Sequence, residues 1–135
     1  MGKITKFQIT SRGFNDSIDI TSKIHSIIKE NNLRDGVVQV FAPDHTSCII
    51  MLPRGVPIIQ DFLDVLGEFI PMDKVYKFDE KYNTNAYAHL RSVFLGNSVS
   101  ILVENGVPDF GGGQMLFIDF DNKPANKLIK VHIGN

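Results

Sequence analysis

The run Asn85-Ala-Tyr-Ala-His-Leu-Arg-Ser-Val-Phe-Leu-Gly96, followed by Ser98-Val-Ser-Ile-Leu-Val-Glu104 and then by Phe110-Gly-Gly-Gly-Gln114, decides how this chain is read. Asn85 and His89 are four residues apart and share one face of a helix, on which Ala86, Leu90, Val93 and Phe94 are expected to form the apolar stripe and Gly96 the stop. Ser98 to Glu104 alternates as a strand does, Asn105-Gly106 is a hairpin turn, and Gln114 to Phe120 reads as a returning strand that would bring Gln114 back near His89. A histidine on a half-apolar helix serves equally well as a hydrogen-bonded structural residue, so the pattern alone leaves both roles open.

Working towards the N-terminus, Pro57 suits the first turn of a second helix with Ile58, Phe62, Leu66 and Phe69 on one face and Asp61 and Asp64 off it. Val37 to Ala42 and Ser47 to Leu52 are β-rich runs separated by Pro43-Asp-His-Thr46, which predicts an antiparallel pair with His45 and Thr46 at a strand end. A helix is expected from Thr21, capped by Thr21 or Ser22, with Ile24, Ile27 and Ile28 inward and Asn31-Asn32 and Gly36 ending it. Lys3 to Thr10 reads as a strand, Ser11-Arg-Gly13 as a bend, and Phe14 to Ile20 as a second short strand. Pro71 to Asn83 has no period and reads as an ordered loop, while Lys127 to Ile133 closes the chain as a strand. About seven strands and two to three helices, with no repeated βαβ unit, predict an α+β fold of layered, mainly antiparallel sheets in one domain spanning residues 1–135.

Composition narrows the function. Fourteen basic and fifteen acidic residues give a net charge of −1 without a basic block, which argues against a nucleic-acid partner. The single cysteine, Cys48, lies in an apolar run and rules out an intrachain disulfide framework, which fits a reducing, cytoplasmic compartment. No apolar run approaches the roughly 18 residues that span a bilayer, and no secretory or myristoylation signal opens the chain, so no membrane partner is expected.

No zinc-ribbon spacing, Walker loop, dinucleotide fingerprint or nucleophile elbow occurs. Phe110-Gly-Gly-Gly-Gln114 is similar to a phosphate cradle but precedes a strand rather than a helix, which points to close backbone packing at a tight turn. Of four histidines, His45 and His89 are the pair expected to share a site, because each begins or caps an element and has amide, hydroxyl or carboxylate company.

Ser11-Arg-Gly-Phe14, His45-Thr-Ser47, the Ala-His-Leu of residues 88–90 after Asn85, Leu95-Gly96 with Ser98, Asn105-Gly106 and Gly111 with Gln114 occur in an order and spacing that resemble the YjbQ family, also described as secondary thiamine-phosphate synthases. The resemblance runs through nearly the whole chain. It implies a compact α+β domain assembled as a homotrimer with its site near subunit boundaries. It also implies a weak activity joining a pyrimidine pyrophosphate to a thiazole phosphate, a small phosphorylated substrate. By that resemblance His45 and His89 are catalytic or metal-binding, with Mg or Zn as the divalent cofactor, and Asp61, which matches a family aspartate across a short gap, is a third catalytic residue, the third metal ligand coming from it or from another chain of the trimer. A third family histidine falls on Phe78, and the family's Gly-Thr-Trp-Gln turn is here Gly111-Gly-Gly-Gln114.

Two functions follow as expectations. In a transferase, Arg12 or Arg91 would neutralise the leaving pyrophosphate, while Asn85, Ser92 and Gln114, with Thr46 and Ser47, would hold the substrate. In a non-catalytic trimeric binding or scaffold protein, the fold persists and Phe78 and Gly113 mark a degenerate site.

Overall fold

The protein is described here by a computed structural model covering residues 2–82 and 85–134. Among these are eight strands and four helices: β1 (Lys3–Ser11), β2 (Asp16–Asp19), α1 (Thr21–Glu30), β3 (Gly36–Phe41), β4 (Ser47–Leu52), α2 (Val56–Phe69), α3 (Lys77–Tyr82), α4 (Ala86–Leu95), β5 (Ser98–Glu104), β6 (Val107–Pro108), β7 (Gln114–Asp119) and β8 (Ala125–Gly134). The class is α+β, with two antiparallel sheets ordered β1-β8-β3-β5-β6 and β2-β7-β4.

The three-stranded sheet is the middle layer, and β7 is buried along its whole length. Met115 and Phe117 face one core, shared with Ile24, Ile27 and Ile28 of α1 and with Val38, Val40, Ile101, Val131 and Ile133 of the larger sheet. Leu116 and Ile118 face a second core, formed with Cys48, Leu66, Ile70, Tyr87 and Ala88 beneath α2 and α4. A strand covered on both sides can carry an unbroken apolar run, which is why Met115 to Ile118 does not alternate.

Three expectations change. β3 and β4 are not a pair: β3 joins β5 and β8, whereas β4 joins β7 in the other sheet. Pro43 to Thr46 therefore carries the chain from one layer to the next. The Asn105-Gly106 turn closes only the short β5–β6 hairpin, and β7 leaves for the middle sheet. Within the stretch expected as a loop, Lys77–Tyr82 forms α3; Asn83 lies outside the described residues.

The helix faces also differ. In α4 the buried side is Ala86, Tyr87, Ala88, Arg91 and Ser92, while Leu90, Val93 and Phe94 are exposed. Ala88 and Ser92 let the helix lie against β4, while Tyr87 and the inward Arg91 fill the space beside them, and this packing overrides the apolar stripe. Phe69 of α2 is likewise exposed and meets Phe94 edge to face at 5.2 Å. Thr21 is inside α1 rather than capping it; its hydroxyl accepts the Met115 N–H at 2.8 Å, and Asp19 Oδ1 accepts the Thr21 N–H.

Candidate functional site

The crossing between layers builds one wall of a cleft. Asp44 Oδ1 accepts both the Thr46 N–H at 2.9 Å and the Ser47 hydroxyl at 2.7 Å, folding the turn on itself. Asn97 Nδ2 donates to the carbonyls of Ala42 and Asp44 from the other side. Thr46 and Ser47 are buried, and His45 between them and Asp44 is exposed. The opposite wall is α4, held by Ala88 and Ser92 against the sheet below, which aims His89 into the same space.

The two imidazoles face each other with centroids 6.4 Å apart and planes 21° from parallel. They enclose, with Asp44, Ser92, Val93 and Asn97, a cleft of about 230 Å³. On its far side His89 contacts the Phe78 ring at 5.2 Å, and Phe78 contacts Tyr82 at 4.9 Å. A roomier hollow of about 560 Å³ lies on the open face of the five-stranded sheet beside Ile4, Phe41 and His132, but it gathers one imidazole rather than two. The facing of two imidazoles, more than volume or the number of polar groups, singles out the His45–His89 cleft.

Of the remaining sequence candidates, Ser92 lines the cleft and Thr46 and Ser47 lie just behind it. Asn85 donates to Asp121 Oδ1 at 2.6 Å at the start of α4. Arg91 is turned inward: its guanidinium donates to the Ile70 carbonyl and to Asn15 Oδ1, and lies over the rings of Tyr87 and Phe120. Burial lowers its pKa from the usual arginine value. Arg12 is exposed and paired with Asp16 in a separate surface hollow.

Gln114 does not return to His89. It pairs with Leu52 and its amide donates to the Pro53 carbonyl, while Ser47 pairs with Asp119 at the other end of the same ladder. Five residues of strand, about 17 Å, separate those ends. Asp61 is exposed on α2 and is not among the residues lining the cleft.

Two imidazoles are a short donor set. Catalytic zinc takes three protein ligands, and no group of three His, Cys, Asp or Glu able to hold a metal ion forms among the described residues. Within one chain the residues present do not fit a resident zinc site. Cys48 does not help: it is buried and its thiol is pushed up to about 12, first by burial.

Sequence reading passed over what supports the cleft. Lys127 is buried and donates to Thr46 Oγ1 at 3.2 Å, with Asp119 Oδ1 at 3.6 Å and Asp44 Oδ2 at 3.9 Å. Asp119, fully buried, also accepts the Ser11 hydroxyl at 2.6 Å and the Asp121 N–H. One signal was available: Lys127 has the same strand parity as the inward residues Ile129, Val131 and Ile133.

Comparison with known proteins agrees with this architecture. The family model described as UPF0047 protein YjbQ-like matches residues 5–135. A UPF0047 protein of Archaeoglobus fulgidus is 34% identical over 113 residues, covering 83% of this chain and 86% of its own. One from Methanothermobacter thermautotrophicus is 33% identical, covering 87% and 81%. A solved structure from Clostridium acetobutylicum, described as an uncharacterised conserved protein of the YjbQ/UPF0047 family, superposes with a TM-score of 0.86 at 28% identity over 96% of this chain and 99% of its own. A hypothetical protein from Aeropyrum pernix, at 19% identity, shares the fold with a TM-score of 0.91 over 98% of both chains.

Proposed function

The chain belongs to the UPF0047 YjbQ-like family, and from that premise we propose that the His45–His89 cleft is the working centre of a homotrimeric transferase acting on a small phosphorylated substrate. The observation that carries the reading is the meeting of two imidazoles, delivered by a layer-crossing turn and by a helix 44 positions further on, in one polar cleft. The reaction proposed is the joining of a pyrimidine pyrophosphate to a thiazole phosphate. The thiazole nitrogen forms a bond to the methylene carbon while the bond from that carbon to the pyrophosphate oxygen breaks, and the electron pair leaves with the pyrophosphate. His45 and His89, as hydrogen-bond donors or acids, would offset the charge gathering on the departing oxygens.

The assembly is part of the proposal. Ligand pockets run roughly from 300 to 1,000 Å³, and a cleft of about 230 Å³ would need a further wall. Val93, at the cleft, is 79% exposed, and Phe94 and Phe69 beside it are 65% and 61% exposed. Apolar area of this kind beside a polar cleft fits burial against a neighbouring subunit. Among the described residues no Lys or Arg side chain lines the cleft, so the neighbour or a divalent ion carried on the substrate's phosphates would supply the missing positive charge. No helix among the described residues is long and apolar enough to cross a membrane; a reducing, cytoplasmic setting and the exclusion of nucleic acid belong to this reading.

A specific observation favours a second reading. The ring that touches His89 is a phenyl, Phe78, where the family resemblance places an imidazole, and the cleft has no cation of its own. A non-catalytic trimeric binding or scaffold protein would keep the fold with such a site.

One experiment separates the two. The purified protein is incubated with the pyrimidine pyrophosphate and the thiazole phosphate, and thiamine phosphate is measured by oxidation to its fluorescent thiochrome. Wild type should form product, and His45→Ala and His89→Ala should each lower the rate at least tenfold, with the double variant little worse than either single. Absence of product from wild type sinks the transferase and leaves the binding reading. Rates unchanged in both single variants displace the reaction from this cleft.

A further inference from the structure

The cleft's geometry depends on one turn, and a buried cation ties that turn to the core beside the Asn97 amide on the Ala42 and Asp44 carbonyls and the Phe120 N–H on the Thr46 carbonyl. Lys127 lies on β8 of the five-stranded sheet, yet its ammonium crosses to Asp119 at the end of β7 in the middle sheet and to Thr46 and Asp44 in the turn. A buried lysine costs several kcal/mol to desolvate unless it is paired and hydrogen-bonded. Here two carboxylates and a hydroxyl face it, and each carboxylate has other donors: the Ser11 hydroxyl and Asp121 N–H on Asp119, and the Thr46 N–H and Ser47 hydroxyl on Asp44. A hydrophobic side chain would fill the same inward place on β8, as Ile129, Val131 and Ile133 fill the next ones.

We propose that Lys127 is a positioning residue for the cleft: its ammonium anchors the Asp44–Thr46 turn to buried Asp119 and thereby holds His45 opposite His89. This rests on the reading of that cleft as the functional site. The claim about geometry is separable, because it concerns where His45 sits whether or not anything reacts there. Asp44 joins the two halves, lining the cleft and facing the lysine at once.

The test must avoid confusing a displaced turn with a protein destabilised by unpaired buried carboxylates. Lys127→Met alone leaves Asp119 without its cation. The double variant Lys127→Met with Asp119→Asn removes that charge, keeps a side-chain oxygen for the Asp121 N–H, turns an amide N–H towards the Ser11 hydroxyl oxygen in place of the acceptor there, and still removes the lysine's link to the turn. Nuclear magnetic resonance reads two quantities without any ligand: ring-to-ring contacts between His45 and His89, and hydrogen exchange of the Thr46 amide, which Asp44 accepts. Exchange at Ile118 and Val131 reports the core.

In the double variant, core exchange should stay within about threefold of wild type, Thr46 should exchange at least tenfold faster, and the ring contacts should be lost. Lys127→Arg, which keeps the charge, should preserve both readouts. The proposal is overturned if the double variant keeps the ring contacts and Thr46 protection, or if all variants lose core protection together, which would make Lys127 a general structural residue. Ring contacts missing from wild type overturn it as well. The thiochrome assay does not enter, so failure of the transferase reading and failure of this one are told apart.

Discussion

The guanidinium of Arg91 caps the carbonyl oxygen of Ile70 twice, at 2.9 and 3.1 Å, fastening α4 to the end of α2. Arg91 is 2% exposed, whereas its neighbour Leu90 is 37% exposed. Truncating Arg91 strips partners from the Ile70 carbonyl and from Asn15 Oδ1 and removes aliphatic packing, so Arg91→Ala should destabilise by about 2–4 kcal/mol. Leu90→Ala should cost less than about 1 kcal/mol. Urea unfolding of the two variants side by side checks this, and equal midpoints would refute it.

Glycines at two positions should respond in opposite directions. Gly113 lies against the backbone of Leu52, where a Cβ would strike the carbonyl oxygen, so Gly113→Ala should destabilise by at least about 2 kcal/mol. Gly67, inside α2, has open space around the same atom, and Gly67→Ala should stabilise by about 0.5–1 kcal/mol. Thermal melts of both variants give the two signs directly.

Acid should erase the contribution of the Arg12–Asp16 pair. Burial pushes the Asp16 carboxyl up, but its hydrogen bonds from Arg12 outweigh burial and leave its pKa below the ordinary value. A carboxylate lowered on folding adds stability above its unfolded pKa, about 4, and loses it as pH falls through the folded value. The gap between wild type and Arg12→Ala should therefore be visible near about pH 6, shrink below about pH 4, and narrow in high salt. A gap independent of pH would exclude this pair as its source.

Cys48 should behave as an inert core atom. Burial raises its thiol to about 12, so at neutral pH almost no thiolate exists to react. Alkylation by iodoacetamide, followed by mass spectrometry, should proceed only at the rate of unfolding and should accelerate in urea. Fast labelling of the native protein would contradict that burial.

How far the sequence reveals this fold depends on the residue considered. Ile24, Ile27 and Ile28 repeat as a helix does, and all three are buried where that period puts them. Ser47 to Leu52 could be recognised as a strand but not assigned a sheet, because a strand's own residues do not name its partner. α4 misled for a physical reason: Leu90, Val93 and Phe94 look like a core stripe, but the close approach to β4 selects Ala88 and Ser92 instead. His45 and His89 were identifiable by type and company, and the structure brings them together. Gln114 went astray with the hairpin that β7 does not make. Lys127 went unread because an inward lysine looks, in sequence, like a solvated end of a strand.

The nine-rung ladder between β1 and β8 joins segments more than a hundred residues apart. During synthesis at the ribosome, β1 emerges first and must wait, with its backbone unpaired, for the strand that completes it. For that interval Phe7 and Ile9, later half-buried against the first core, belong to a sticky nascent segment. Lys3 and Lys6, both exposed on that same strand, carry the kind of charge that opposes pairing of an open strand edge with another chain.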